Sequence, residues 1–291
     1  MNSNESFQKQ YEELTFTDDF MFCKVMQNNP ELCEHMIELI IGKKVKLVKR
    51  PDTQKSIRIT EDGKGVRLDV YVEDDAGTIY DIEMQTSKLF NLNKRVRYYQ
   101  GMMDLNSIEK GLDYTELRKS YIIFICMFDP FKKWRVKYTF RQTCQEDYSV
   151  KLEDDSHIVF VNPFGNNEGY SKDMKDLLAY LRGEVIKENS FIDKLDAAVR
   201  RAREKKEWRT EYMAMSAKFW DVKREARAAG LAEGRAEGRA EGRAEGRAEG
   251  ELKAKKDLAL NLLNRTDLPE EKVLEITGLT KKDLEEYKVL P

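Results

Sequence analysis

A chain of 291 residues is long enough to bury one large core with appendages, and 41% hydrophobic against 36% charged residues describes a water-soluble protein with a highly charged portion. The net charge of −2 leaves any affinity for nucleic acid to local basic patches rather than to the whole molecule. Only two histidines (His35, His157) and four cysteines without CxxC spacing disfavour a serine–histidine hydrolase, a histidine-ligated transition metal and a zinc ribbon. The cysteines are expected as reduced core thiols, and any chemistry is expected to rest on carboxylates.

The polar start "MNSNESFQKQYEEL" lacks the apolar centre of a signal peptide. The longest apolar run, "YIIFICMF" at 121–128, is too short for a bilayer, so no membrane contact and a cytoplasmic location are expected. Residues 17–42 read as two helices, the first capped by Thr17, the second opened by Asn29–Pro30 and closed by Gly42. The basic run "KKVKLVKR" at 43–50 reads as a strand or the approach to one. A hairpin over about 66–86 follows, then a helix over 89–110, strands at 120–128, 134–142 and 157–162, and an amphipathic helix over 171–186. This order predicts a mixed α/β domain with a central sheet over residues 1–187.

Composition then changes. Residues 188–229 read as a charged helical region, and self-association through these and the later C-terminal helices is expected. Residues 230–250 repeat Gly-Arg-Ala-Glu with a period of four. That period puts like charges at i,i+4 and glycine in every turn, so a low-complexity spacer is expected. Residues 251–291 read as a small helical module, with a Gly278 turn and a Thr280/Asp283 capping box.

The hairpin "VRLDVYVEDDAGTIYDIEMQTS" carries the functional argument. A three-residue loop, Asp75–Ala76–Gly77, with glycine in the left-handed position sets Val70 opposite Ile82 and Asp69 opposite Glu83. Two facing carboxylates call for water or a cation. A solvated outer sheet face alternates in the same way; a hard divalent cation, Mg²⁺ or Mn²⁺, is the other reading. Arg95, Arg97 and Tyr98, on the helix after the hairpin, have spacings that let one turn face a phosphate backbone. The runs 43–50 and "KKWRVK" at 132–137 are further phosphate candidates.

Asp69, a hairpin turn and Glu83–Met84–Gln85 resemble the core of the PD-(D/E)XK nucleases. "FTDDFMF", "RLDVYVEDDAGTIYDIEMQ", "KRVRYY" and the Gly-Arg-Ala-Glu tract resemble one branch of them, the recombination-promoting nucleases or PD-(D/E)XK nuclease family transposases, over roughly residues 15–185 plus the tail. The resemblance implies a restriction-endonuclease-like α/β core with a mixed sheet, a helical C-terminal extension, and Mg²⁺-dependent DNA endonuclease activity linked to recombination. It implies Asp69 and Glu83 as metal ligands, helped by the Met84 backbone carbonyl, with Asp19 as an auxiliary acid. Gln85 stands where the superfamily has its lysine; an amide can orient a water or a phosphate oxygen but adds no positive charge. Lys88 is a candidate to supply that charge. The alternative is a non-catalytic DNA- or protein-binding member of the same fold.

Overall fold

Helix α1 (Asp19–Asn28) buries Phe20, Met21, Phe22, Cys23, Val25 and Met26, and Asn29–Pro30 ends it and opens α2 (Pro30–Ile41), which Gly42 closes in the left-handed conformation. The computed structural model describes residues 11–58, 65–88 and 91–288, without the side chains of 286–288. The first two residues of the helix expected over 89–110 therefore lie outside the described residues. Thr17 does not cap α1: Asp18 holds that position, and its carboxylate turns back to the Thr15 N–H at 2.6 Å.

Six strands form one mixed sheet in the order β1-β2-β3-β4-β6-β5. β1 (Asp52–Ile57), β2 (Val66–Glu73) and β3 (Ile79–Gln85) make an antiparallel meander. β4 (Ser120–Cys126) and β6 (Ser156–Val161) continue parallel to β3, and β5 (Lys137–Phe140) closes the edge antiparallel to β6. The basic run 43–50 is the approach to the edge strand β1: Leu47 makes a single antiparallel bridge to Asp74, with Val48 N–H donating to Glu73 O at 3.1 Å and Asp75 N–H to Lys46 O at 2.9 Å. The N–H groups of Val45 and Leu47 donate instead to Glu38 and Glu34 of α2, at 3.1 and 2.9 Å, so the pairing does not extend into a strand. The strand expected over 134–142 is shortened to β5.

Both faces of the sheet are covered, as a parallel centre requires. One face packs under α1, α2, α4 (Lys172–Leu181) and α5 (Ser190–Glu204); the other packs under α3 (Leu92–Ser107), through Leu92, Val96, Tyr99, Met102 and Met103. Helix α5, held at its start by the Asn189 side chain accepting from the N–H groups of Phe191 and Ile192, buries Phe191, Ile192, Leu195, Ala198, Val199 and Ala202 in the first core. Trp208 and Tyr212 pack on the same core, and the compact unit runs to Ser216. A domain edge at 187 therefore falls inside the core, because the charged composition of 188–229 hides an apolar stripe at helical spacing.

Residues 217–291 form a second unit. Helix α6 (Lys206–Arg265) includes the Gly-Arg-Ala-Glu tract, so the stretch expected as a spacer is helical, and every residue from 217 to 255 is exposed. Ala259, Val273, Leu279 and Leu284 make a small core with α7 (Glu270–Thr277) and α8 (Lys281–Lys288). The capping box is present: Thr280 N–H donates to Asp283 Oδ2 at 3.0 Å, and Asp283 N–H to Thr280 Oγ1 at 3.2 Å. Among the described residues no helix is long and apolar enough to cross a membrane. Three of the four cysteines are buried and free; Cys144 is half-exposed rather than in the core.

Candidate active site

β2 and β3 pair from Glu73–Ile79 to Val70–Ile82 across a turn closed by Gly77 at φ 79°, which is the register that sets Asp69 beside Glu83. At that point side chains replace the ladder. Asp69 N–H donates to Glu83 Oε1 at 2.9 Å, and Met84 N–H donates to Asp69 Oδ2 at 3.1 Å. The face is not solvated. Asp69, Asp81 and Glu83 are 8%, 0% and 1% exposed. Asp81, Glu83 and Gln85 stand beside Ile122, Phe124 and Cys126 of β4, and Ile122, Phe124 and Cys126 share a core with the α3 residues.

Burial of three carboxyls in one place works against their ionisation. Burial first, and then the charge of Glu83, push Asp69 up to about 8; burial pushes Glu83 up to about 7. Asp81 is raised well above the carboxylate range by its complete burial, and neither of its oxygens accepts a hydrogen bond from a donor elsewhere. Protonated, it can donate to Glu83, which is the state that burial favours.

The cation facing this group is Arg95. Its Nη2 bonds Glu83 Oε2 at 2.8 Å, its Nη1 donates to Gln85 Oε1 at 3.1 Å, and its Nε donates to the Tyr99 hydroxyl at 2.8 Å. Arg95, Arg97 and Tyr98 all line a cleft of about 1000 Å³ together with Asp19, Asp69 and Lys94, and Arg95 in addition turns down onto the motif. The Gln85 amide is already engaged, donating to Ser87 O at 2.7 Å and accepting from Arg95. Lys88 is exposed and lines a separate cleft with Phe128 and Asp129, so it does not replace the missing lysine.

Asp19 reaches the site from the first turn of α1. Asp19, Cys23 and Asp69 bring their ligand atoms within 4.8 Å of one another. The Cys23 thiol donates to Asp69 O at 3.4 Å and lies 3.7 Å from Asp19 Oδ1; burial raises it far above the thiol range, so it stays a neutral thiol rather than a soft thiolate ligand. Glu83 is not one of this trio; its two oxygens accept from Asp69 N–H and from Arg95, and each keeps a second lone pair. What remains is a set of hard carboxylate oxygens, the donor type that suits a hard divalent cation.

A family model, PD-(D/E)XK nuclease family transposase, matches residues 17–229. The chain belongs to that family. None of the curated proteins and none of the solved structures matches it. The six-stranded mixed sheet with flanking and C-terminal helices is a PD-(D/E)XK-like α/β fold, and the matched segment contains every residue that lines the cleft. Membership of this nuclease family implies DNA as the substrate. PD-(D/E)XK nucleases usually use divalent metals.

Sequence reasoning passed over Asp81 and Cys23 in this candidate site. Both had a spacing that marked them: Asp81 precedes Glu83 by two on one strand, hence on the same face, and Cys23 follows Asp19 by one helical turn. The role of Arg95 had no such mark. Its spacing is equally compatible with an outward-facing contact, and only the packing of α3 on the sheet turns it inward.

Proposed function

We propose that this PD-(D/E)XK family member is a divalent-metal-dependent DNA endonuclease that hydrolyses phosphodiester bonds in DNA recombination or transposition. Asp69, Glu83 and the Met84 backbone carbonyl would hold Mg²⁺ or Mn²⁺, with Asp19 as the auxiliary acid. The observation that carries this reading is the cluster of buried carboxyls at the point where β2 and β3 stop pairing, with Arg95 as its facing cation. A bound divalent cation supplies Lewis-acid polarisation of a phosphoryl oxygen and lowers the pKa of a bound water.

The chain's own residues prepare this chemistry. Met84 N–H and Asp69 N–H fix one oxygen each of Asp69 and Glu83, so the carboxylates enter the reaction already oriented. Arg95 brings the positive charge that Gln85 does not, and Tyr99 holds the guanidinium in place from one turn along α3. Gln85, tied to Ser87, serves as the acceptor that aims Arg95. Arg97, Tyr98 and Lys94 on the cleft wall face the entering DNA, Arg97 and Lys94 as phosphate contacts.

Supercoiled plasmid incubated with Mg²⁺ or Mn²⁺, against chelator, tests the reading beside Glu83→Gln. Nicking or linearisation is expected only for the wild type with metal. Cleavage in chelator, or at the wild-type rate by Glu83→Gln, would defeat the proposal.

Arg95→Ala should lower cleavage by about 10²–10³, the effect of removing a preorganised charge aimed at the reacting group. Arg95→Lys should recover part of the rate, because it restores the charge without the two-pronged contact. Gln85→Ala should cost less than Asp69→Ala or Glu83→Ala, since it loses an aiming group rather than a ligand. Single-turnover rates at saturating metal rank the variants. An Arg95→Ala enzyme as fast as wild type would return Arg95 to a packing role.

A further inference from the structure

The loop between β4 and β5 begins beside the motif: Met127 N–H donates to Gln85 O at 2.8 Å. β3, β4 and β6 run parallel, so this loop and the one after β6 leave the same edge of the sheet as Gln85. Loops at the carboxyl ends of parallel strands are where α/β proteins meet their ligands. Its sequence, "DPFKKWR", places Trp134 between Lys132, Lys133 and Arg135, all four exposed, with Trp134 at 66%.

The loop is held rigidly. The Asp129 carboxylate accepts from Phe131 N–H at 3.0 Å, Trp134 N–H at 2.6 Å and the Tyr138 hydroxyl at 2.8 Å. Trp134 O accepts from Asn166 N–H at 2.8 Å, and Arg135 O from the Asn162 side chain at 3.2 Å. Gly165 lies so close that a Cβ there would stand 2.3 Å from Arg135 C. These restraints keep Lys132 at φ 55° and Trp134 at φ 54°. A bulky residue in the left-handed region is strained, and an exposed indole gains little by burial in return. The fold does not need tryptophan here.

Resting on the DNA-nuclease reading above, we propose that the 129–135 loop is a base-stacking platform that binds unpaired nucleotides at the end of the sheet where the motif lies. On this assignment the preferred substrates are DNA with single-stranded segments rather than uninterrupted duplex. A projecting indole stacks on a base only where that base is free of its neighbours, and the flanking Lys132, Lys133 and Arg135 match the phosphates on either side.

Binding of a single-stranded oligonucleotide and of a blunt duplex to the full chain, by fluorescence anisotropy in chelator, separates this from catalysis. Trp134→Ala and Trp134→Gly should weaken single-strand binding about tenfold and duplex binding by less than about twofold, while Trp134→Phe stays near wild type on both. Trp134→Gly should melt no lower than wild type, because glycine is at ease at φ 54°. Unchanged single-strand binding in Trp134→Ala, equal losses on both DNAs, or a Trp134→Gly protein that melts below wild type would overturn the assignment. Cleavage is scored apart from this. A wild type that binds single strands through Trp134 but never cuts with Mg²⁺ or Mn²⁺ defeats the nuclease reading and leaves the platform standing; a wild type that cuts but binds single strands without Trp134 does the reverse.

Discussion

Asp69→Asn is expected to abolish cleavage and metal-induced stabilisation while leaving the metal-free protein at least as stable as wild type. Asparagine keeps an acceptor for Met84 N–H and cannot take on the charge that Asp69 acquires beside Glu83 as pH rises. The sign of the pH dependence follows from the direction of the shifts. With Asp69 raised to about 8 and Glu83 to about 7, the folded protein holds protons that the unfolded chain, at about 4, has released. The stability these groups contribute is complete below about pH 4 and is lost as pH rises through about 7 to 8. Metal-free wild type should therefore melt progressively earlier across that window, and Asp69→Asn should flatten the decline.

Metal reverses this for the wild type alone. At a hundred times its dissociation constant it adds about 2.7 kcal/mol, and its apparent affinity rises with pH as the carboxyls give up their protons. Thermal melts of both proteins in chelator and in Mn²⁺, over the same pH range, read every part of this. A wild type indifferent to metal, beside an Asp69→Asn protein that melts far earlier in chelator, would make the pair a structural one.

Ending the chain after residue 187 is expected to prevent folding, whereas ending it after Ser216 is expected to leave a folded protein. The shorter chain loses α5 with Phe191, Ile192, Leu195 and Val199, all buried against the sheet-facing helices. At about 1.5–3 kcal/mol for each large apolar side chain, the loss is comparable to the whole stability of a typical domain. It also exposes the partners left behind: the Tyr11 hydroxyl donates to Ala202 O at 2.8 Å, and Arg203 Nε to Leu14 O at 2.7 Å. Circular dichroism and a cooperative melt distinguish the two shortened chains. A cooperative melt from the 1–187 chain would move the domain edge back to where composition puts it.

The active hairpin was legible because everything that defines it is local. Strand alternation has a period of two, Gly77 permits only a few turn geometries, and the two together leave one register, which sets Asp69 beside Glu83. The same locality made the Thr280/Asp283 capping box and the Asn29–Pro30 helix start readable from residues no more than three apart. The family resemblance came from that block and stands over residues 17–229.

What the sequence left open depended on which face of an element meets another, and that is a property of packing. Whether the acidic face of β3 meets water or a helix is invisible in "YDIEMQ"; α3 decides it, and with it the burial of Asp81 and Glu83 and their raised pKa values. Arg95 and Arg97 look alike along the chain, but two residues on a helix lie about 200° apart, so although both border the cleft, docking brings Arg95 onto Glu83. Composition read the charged exterior of α5 and missed the stripe it buries. Local spacing determines backbone pattern; only the long-range contacts among α1, α3, α5 and the sheet determine which charges are taken out of water, and the chemistry of this site is set by that removal.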